Sequence, residues 1–159
     1  MMVSEANYFT YNTPVGRVTL ASDGTALTRL VPGEVRLEGK NAPNAITNLA
    51  ATQLQEYFAG RRRLFDVPLR PAGSVFQQDV WRALEHIPFG QTRTYAQVAA
   101  MIDRPGAARA VGSANAANPI PIIIPCHRVI PASGGIGGYA YGAEMKRFLL
   151  KHEGCRMPR

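Results

Sequence analysis

Cys126 follows Pro125 and precedes His127 and Arg128, at the end of the stretch Asn118-Pro-Ile-Pro-Ile-Ile-Ile-Pro-Cys-His-Arg-Val-Ile130. A thiol beside an imidazole and a guanidinium can become a reactive cysteine, because the thiolate is the nucleophile and nearby positive charge favours it. The apolar run 122–124 reads as a short buried strand. Pro125 stops it, since proline has a fixed φ and no N–H for a ladder. The expectation is a thiol held rigidly at a strand end. The plain alternative is a cysteine that serves as a small buried hydrophobe. Cys126 and His127 alone leave both readings open.

The elements around this stretch must position it. Upstream, Ser74 and Gln77 have capping-box spacing, and Phe76, Val80, Ala83, Leu84 and Ile87 mark an amphipathic helix that Pro88-Phe-Gly90 breaks. Thr94 and Gln97 repeat the capping box before Tyr95, Val98, Ala99 and Ile102. A third helix is expected over 107–117. Three short helices with tight turns in a basic region point to a helix-turn-helix, though many tri-helical cores never meet DNA. The third helix is built of small residues, with Ala108, Gly112 and Ser113 among them and only Arg109, Val111 and Asn115 larger. It lacks the long polar side chains of a major-groove reader, so a minor-groove fit is the expectation if it touches DNA.

Downstream, residues 132–142 form a glycine-rich loop, read as a pocket wall. Its match to G-x-G-x-x-A carries no weight without a βαβ unit around it. A last helix is expected to bury Met145, Phe148, Leu149 and His152. Glu153, one turn after Leu149, could reach inward to His127; otherwise it is a solvated helix-end carboxylate.

The N-terminal part reads as a small meander with strands over 8–11, 17–21 and 26–31, a loop over 32–43, a helix with Ile46, Leu49, Ala50, Leu54, Tyr57 and Phe58 on one face, and a last strand over 65–69. Arg61-Arg62-Arg63 reads as solvated, with phosphate contact as the alternative. Arg70-Pro-Ala-Gly73 marks a boundary.

The 159 residues suffice for one domain or two small ones. Two cysteines give no disulfide framework and suit a reducing cytosol. No apolar run is long enough to span a membrane, and Met1-Met2-Val3-Ser4-Glu5 does not read as a signal peptide. The net charge is +7, unevenly placed: residues 1–72 carry eight Lys/Arg and six Asp/Glu, residues 73–159 ten and five. A basic C-terminal part suits a polyanion such as DNA.

Pro125-Cys-His-Arg-Val-Ile130, Phe76-Gln-x-x-Val-Trp81, Ile87-Pro-Phe-Gly90, Ala108-Arg-Ala-Val-Gly112, Asn118-Pro119 and Leu149-Leu-x-His-Glu-Gly154 together resemble the O6-alkylguanine-DNA alkyltransferases. The likeness covers the whole second part and is weaker over residues 1–72. It implies an α/β (α+β) fold: a ribonuclease-H-like structural domain over 1–72, then a helix-turn-helix, winged-helix-like domain over 73–159 that binds DNA and accepts the alkyl group. It implies that Cys126 takes an alkyl group from guanine O6 by SN2 displacement, once per chain and with no cofactor; no metal is expected, since three scattered histidines and two cysteines show no metal spacing. By the same resemblance, His127 deprotonates Cys126 through a water, Glu153 orients His127, and Asn118 braces the turn. Tyr95 crowds the target phosphate and donates to guanine N3, while Arg109 fills the gap left by the flipped base. Ala108, Gly112, Ser113 and Asn115 join them at the DNA. Val129 accepts from the guanine amino group through its carbonyl, and Tyr139, Ala140, Tyr141 and Pro121 line the pocket.

The partner so implied is double-stranded DNA carrying O6-alkylguanine, with O4-alkylthymine as a second lesion, bound at the minor groove by a cytoplasmic monomer that meets no membrane. Two residues depart from the pattern: Ala116 stands where some relatives have arginine, and Tyr141 where many have glycine. Two rivals differ in kind. A cysteine hydrolase would need Cys and His side chains in direct reach and an oxyanion hole, which adjacent Cys126-His127 fits poorly. A non-catalytic lesion-binding relative would lack the acceptor cysteine.

Overall fold

The computed structural model describes residues 6–156; the N-terminal stretch read for a signal peptide lies outside them. The chain divides into two compact units, Met1–Ala72 and Gly73–Arg159. No helix among the described residues is long and apolar enough to cross a membrane.

In the first unit, β1 (Asn7–Thr13), β2 (Gly16–Ser22) and β3 (Leu27–Pro32) form the expected antiparallel meander. A fourth strand, β4 (Lys40–Asn41), lies parallel to β1 inside the segment expected as loop, giving the order β3-β2-β1-β4. Central β2 is buried without alternation from Val18 to Ser22. Thr19 explains this: its hydroxyl donates to Gly33 O at 2.8 Å and accepts from Val35 N at 3.1 Å, so the loop after β3 covers that side. The helix α1 (Ala45–Phe58) starts at a reciprocal capping box of Asn44 and Thr47 and packs on the three long strands. Ala50, Leu54 and Tyr57 are buried in the core that also holds Val18, Leu20, Leu27 and Leu30.

Residues 65–69 make only a single bridge, Leu69 to Leu27, rather than the expected strand. Pro68 has no N–H to give. The N–H groups of Asp66 and Val67 go to Gln53 Oε1, at 3.1 and 3.2 Å.

In the second unit, α2 (Val75–Glu85) and α3 (Tyr95–Met101) begin at the two capping boxes read from Ser74/Gln77 and Thr94/Gln97. With α4 (Ala108–Ala116) they pack mutually as a tri-helical core. Trp81 is buried and donates from Nε1 to Ala114 O at 2.8 Å, which ties α2 to α4. Two short strands, β5 (Arg93–Thr94) and β6 (Val129–Ile130), pair in parallel. Between α4 and β6 the chain makes the turns that carry the thiol, and α5 (Ala143–His152) closes the unit.

Two expectations fail here for local reasons. The run 122–124 is buried but is no strand: it is a tight turn with Ile122 at φ 74°. Asn118 imposes it, accepting from Ile120 N at 3.0 Å and donating from Nδ2 to Ile124 O at 2.8 Å, while Ile124 N donates to Ile120 O at 2.9 Å. A β-branched residue at positive φ is strained, and surrounding bonds must hold it there. The buried face of α5 is also rotated from the expected one. Lys146, Leu149 and Leu150 point inward, while Phe148 is 42% exposed. Lys146 can be buried because its Nζ donates to Val129 O at 2.7 Å and Gly138 O at 3.2 Å.

Candidate active site

Cys126 opens a single 3-10 turn, Cys126–Arg128, placed directly after the Asn118 turn. Its N–H donates to Ile124 O at 2.8 Å and its carbonyl accepts from Asn115 Nδ2 at 3.2 Å, so helix α4 and the Asn118 turn both hold its backbone. The residue is 2% exposed. Burial pushes the thiol up, while hydrogen bonds from Asn118 and Tyr139 and the charge of Lys146 act the other way. The thiol therefore needs a base to react at neutral pH.

An imidazole is adjacent. His127 is fully buried, and its Nε2 lies 2.8 Å from Glu153 Oε2. A carboxylate only accepts, so Nε2 carries the proton and Nδ1 is left as the basic nitrogen. Nδ1 is buried with no hydrogen-bond partner among the described residues. Burial lowers the imidazole's pKa, against the pull of Glu153, so His127 stays neutral at pH 7.

Glu153 is the hub of this arrangement. Arg128 donates to it from Nε at 2.8 Å and from Nη2 at 3.0 Å, and from Nη1 to Ile87 O at 2.6 Å. Burial alone would raise the Glu153 carboxyl, but the hydrogen bonds and charges of His127 and Arg128 prevail and hold it well below the usual carboxylate range. Gly90, at φ 83°, lets the loop after α2 come close: a Cβ there would stand 3.1 Å from Glu153 O.

A cavity of about 290 Å³ opens onto Cys126. Tyr95, Gly112, Asn115 and Ala116 line one side, Gly138, Tyr139 and Ala140 another. This volume sits near the lower end of small-ligand sites, roughly 300 Å³. The Tyr95 ring packs by Gly112, where an added Cβ would meet it at 3.7 Å. Burial, then the neighbouring Cys126, raise the Tyr95 phenol. The Cys126 thiol points to Tyr139 Oη at 3.9 Å.

Of the residues expected at this site, the structure brings together Cys126, His127, Glu153, Asn118, Tyr95, Tyr139, Ala140, Gly112 and Asn115. Val129, Pro121 and Tyr141 do not line the cavity. The Val129 carbonyl accepts from Lys146, and Pro121 is buried in the Asn118 turn. Tyr141 donates to Asn118 O at 3.3 Å and meets the Tyr139 ring edge-on at 5.6 Å, so it braces the wall from behind. Arg109 and Ser113 lie exposed on α4, and Ala108 is half-buried at its start. Arg128 and Lys146 were missed as parts of the site. The guanidinium beside Cys126 was visible, but its true partner lies 25 positions on. For Lys146 no sequence signal existed, since a lysine on a helix reads as solvated. Among the described residues no three His, Cys, Asp or Glu side chains converge as a metal site would.

Residues 7–71 match the family model for the 6-O-methylguanine DNA methyltransferase ribonuclease-like domain, and residues 75–155 match that for the DNA binding domain of the same name. A methylated-DNA–protein-cysteine methyltransferase of Methanosarcina acetivorans is 45% identical over 152 residues, covering 92% of this chain and 97% of that one. One of Mycobacterium tuberculosis is 48% identical over 157 residues, covering 96% and 94%. The crystal structure of Mycobacterium tuberculosis OGT in complex with DNA superposes with a TM-score of 0.87 at 49% identity, covering 93% of this chain and 92% of that one.

Proposed function

Because the chain belongs to the 6-O-methylguanine DNA methyltransferase family, we propose that its Cys126 thiolate attacks the alkyl carbon on guanine O6 in DNA. The protein is a direct-reversal repair methyltransferase, and DNA is its partner. The observation that carries the assignment of roles is the buried chain Cys126, His127, Glu153, Arg128 opening on a base-sized cavity.

His127 Nδ1 takes the thiol proton through a water, and Glu153 holds the imidazole in the tautomer that leaves Nδ1 basic. The S–C bond forms as the C–O bond breaks, and the guanine leaves with the bonding pair. Tyr95 donates at N3 and spreads the charge that develops on the base. The thioether that results has no leaving group to restore the thiol, so each chain acts once.

Residues 73–159 bind DNA and accept the alkyl group, with residues 1–72 as a structural domain. The small exposed residues of α4 let its backbone approach the minor groove, and Arg109 enters the stack where the lesion has flipped out. The protein acts as a monomer on O6-alkylguanine, in the cytoplasm where the thiol stays reduced. O4-alkylthymine is a second substrate.

Incubation with duplex carrying O6-methylguanine should add one methyl group per chain, on the peptide holding Cys126, and none to a Cys126→Ala variant. Methyl on Cys155 instead would overturn the assignment. Cys155 is buried with Ile136 and Leu150, and burial pushes its thiol up to about 11.

A further inference from the structure

We propose that Tyr139 is a catalytic residue whose phenolic hydroxyl donates a hydrogen bond to the Cys126 thiolate and stabilises that charge until the sulfur attacks. This deepens the alkyl-transfer reading above and rests on it. His127 accounts for removal of the thiol proton, but a base does not accommodate the anion it leaves behind. Cys126 is 2% exposed, and a charge so buried is costly unless donors face it. Tyr139 meets that need. The thiol donates to Tyr139 Oη at 3.9 Å, and both residues line the same cavity. A hydroxyl is donor and acceptor alike, so when the thiol ionises the phenol turns its own hydrogen to the sulfur. A bond to a charged acceptor is shorter and about twice as strong as the neutral one it replaces.

The other groups near the sulfur are engaged elsewhere. Asn118 Nδ2 donates to Ile124 O at 2.8 Å, and Lys146 Nζ serves Val129 O and Gly138 O at 2.7 and 3.2 Å. Asn118 still favours the thiolate with its second hydrogen, and Lys146 does so by charge. The titratable groups around the sulfur are His127 beside it in the chain, Tyr95 of α3, Tyr139 and Lys146 of α5. Helix α4 presents Gly112, Asn115 and Ala116 to the cavity, none of which titrates. Lys146 also prepares the phenol, because its ammonium lies 6.0 Å from the centroid of the Tyr139 ring. A cation over an aromatic face draws on the ring's electrons, so the hydroxyl becomes the better donor. The Tyr141 ring meets Tyr139 edge-on and restrains it from another side. Tyr139 keeps its proton throughout: the thiol proton goes to His127 through a water, the S–C bond forms as the C–O bond breaks, and guanine leaves with the bonding pair.

Tyr139→Phe removes the hydroxyl and keeps the ring. The ultraviolet absorbance of the Cys126 thiolate is followed against pH with no DNA present, and Cys126→Ala in the same background supplies the blank. The midpoint should rise by about 1–2 pH units, the weight of a hydrogen bond to a charged group. Single-turnover methylation by O6-methylguanine duplex and alkylation by iodoacetamide are both read on the peptide holding Cys126. Each should slow by about 3- to 10-fold at pH 7, less than the thiolate fraction falls, because a thiolate of higher pKa is the better nucleophile. For the same reason the variant should exceed wild type on the alkaline plateau. A residue that only walls the cavity would move neither, so an unchanged midpoint in folded Tyr139→Phe overturns the proposal. Thermal melting checks the fold. Should the variant not fold, 3-fluorotyrosine in place of Tyr139 keeps the hydroxyl and the packing with a more acidic phenol. The midpoint should then fall, and an unmoved one refutes the reading. Because the midpoint is read without DNA, absence of methyl on wild-type Cys126 after incubation with the duplex would strike at alkyl transfer itself, a different failure.

Discussion

Replacing Glu153 with glutamine removes a charge and keeps the shape of the side chain. In the native protein the two carboxylate oxygens accept from His127 Nε2 and twice from Arg128, at 2.8, 2.8 and 3.0 Å. Glutamine offers one oxygen and an NH₂ that cannot accept. At least one donor loses its partner, and the Arg128 side chain, 7% exposed, becomes an uncompensated charge. Breaking a buried pair from one side costs about 3–5 kcal/mol. At roughly 2–4 °C per kcal/mol for a chain of this size, Tm should fall by about 6–20 °C. The rate should fall as well, because Glu153 sustains the basicity of His127 against burial. A general base contributes about 10²–10⁴, and weakening it without deleting it should slow alkylation at pH 7 by about 10- to 100-fold.

Hydroxide replaces the lost base as pH rises. Because burial raises the Cys126 thiol, recovery should continue beyond the free-thiol value of about 8.5. The acid side has its own signature. Glu153 has its folded pKa lowered from 4.5, so its contribution to stability is present above that value and is lost as pH falls below it. The unfolded chain also protonates His127 below 6.5, which the folded chain resists. Wild-type Tm should therefore fall from pH 7 to pH 4, and Glu153→Gln should lack the lower part of that fall. Single-turnover rates from pH 6 to pH 10, with melting curves alongside, measure all of this. A variant that melts early yet alkylates at the wild-type rate across pH would show that Glu153 acts on the fold alone, and the relay would be refuted.

Arg109→Ala should slow repair of duplex several-fold more than reaction with a free alkylated base, since only the duplex requires flipping; equal slowing on both removes the stacking role. Lys146→Met should leave the Val129 and Gly138 carbonyls short of a donor and take a positive charge from near the thiol. The alkaline limb of the pH–rate profile should move up, and an unmoved limb would make Lys146 a packing residue only. Tyr141→Gly frees Asn118 O and the back of the Tyr139 ring, so it should raise the benzyl-to-methyl rate ratio; an unchanged ratio means the wall does not depend on Tyr141.

Features set by near neighbours were legible in the sequence. Ser74 with Gln77 and Thr94 with Gln97 announced two helix starts, because a capping box involves only four consecutive residues. Cys126 was singled out by its own neighbours, and Glu153 by helical spacing. The failures share a cause: side chains that satisfy backbone groups at a distance. Gln53 takes the N–H groups that would have made residues 65–69 a strand. Asn118 folds three isoleucine-rich positions into a turn that apolar patterning reads as extended. Lys146 goes inside because two carbonyls, 17 and 8 positions away, receive it. Periodicity weighs apolar residues and cannot count acceptors.

The hydrogen bonds around Cys126 differ in the length of chain they close. The Asn118 bond that shapes the turn spans six positions, while the bonds that reach Glu153 from His127 and Arg128 span 26 and 25, and that from Arg128 to Ile87 spans 41. Short loops close at little entropic expense and long ones later. The nucleophile's cradle is therefore a local product of folding, and its activation is a global one. A chain whose last helix has not docked holds a well-placed cysteine beside an imidazole that Glu153 does not yet orient.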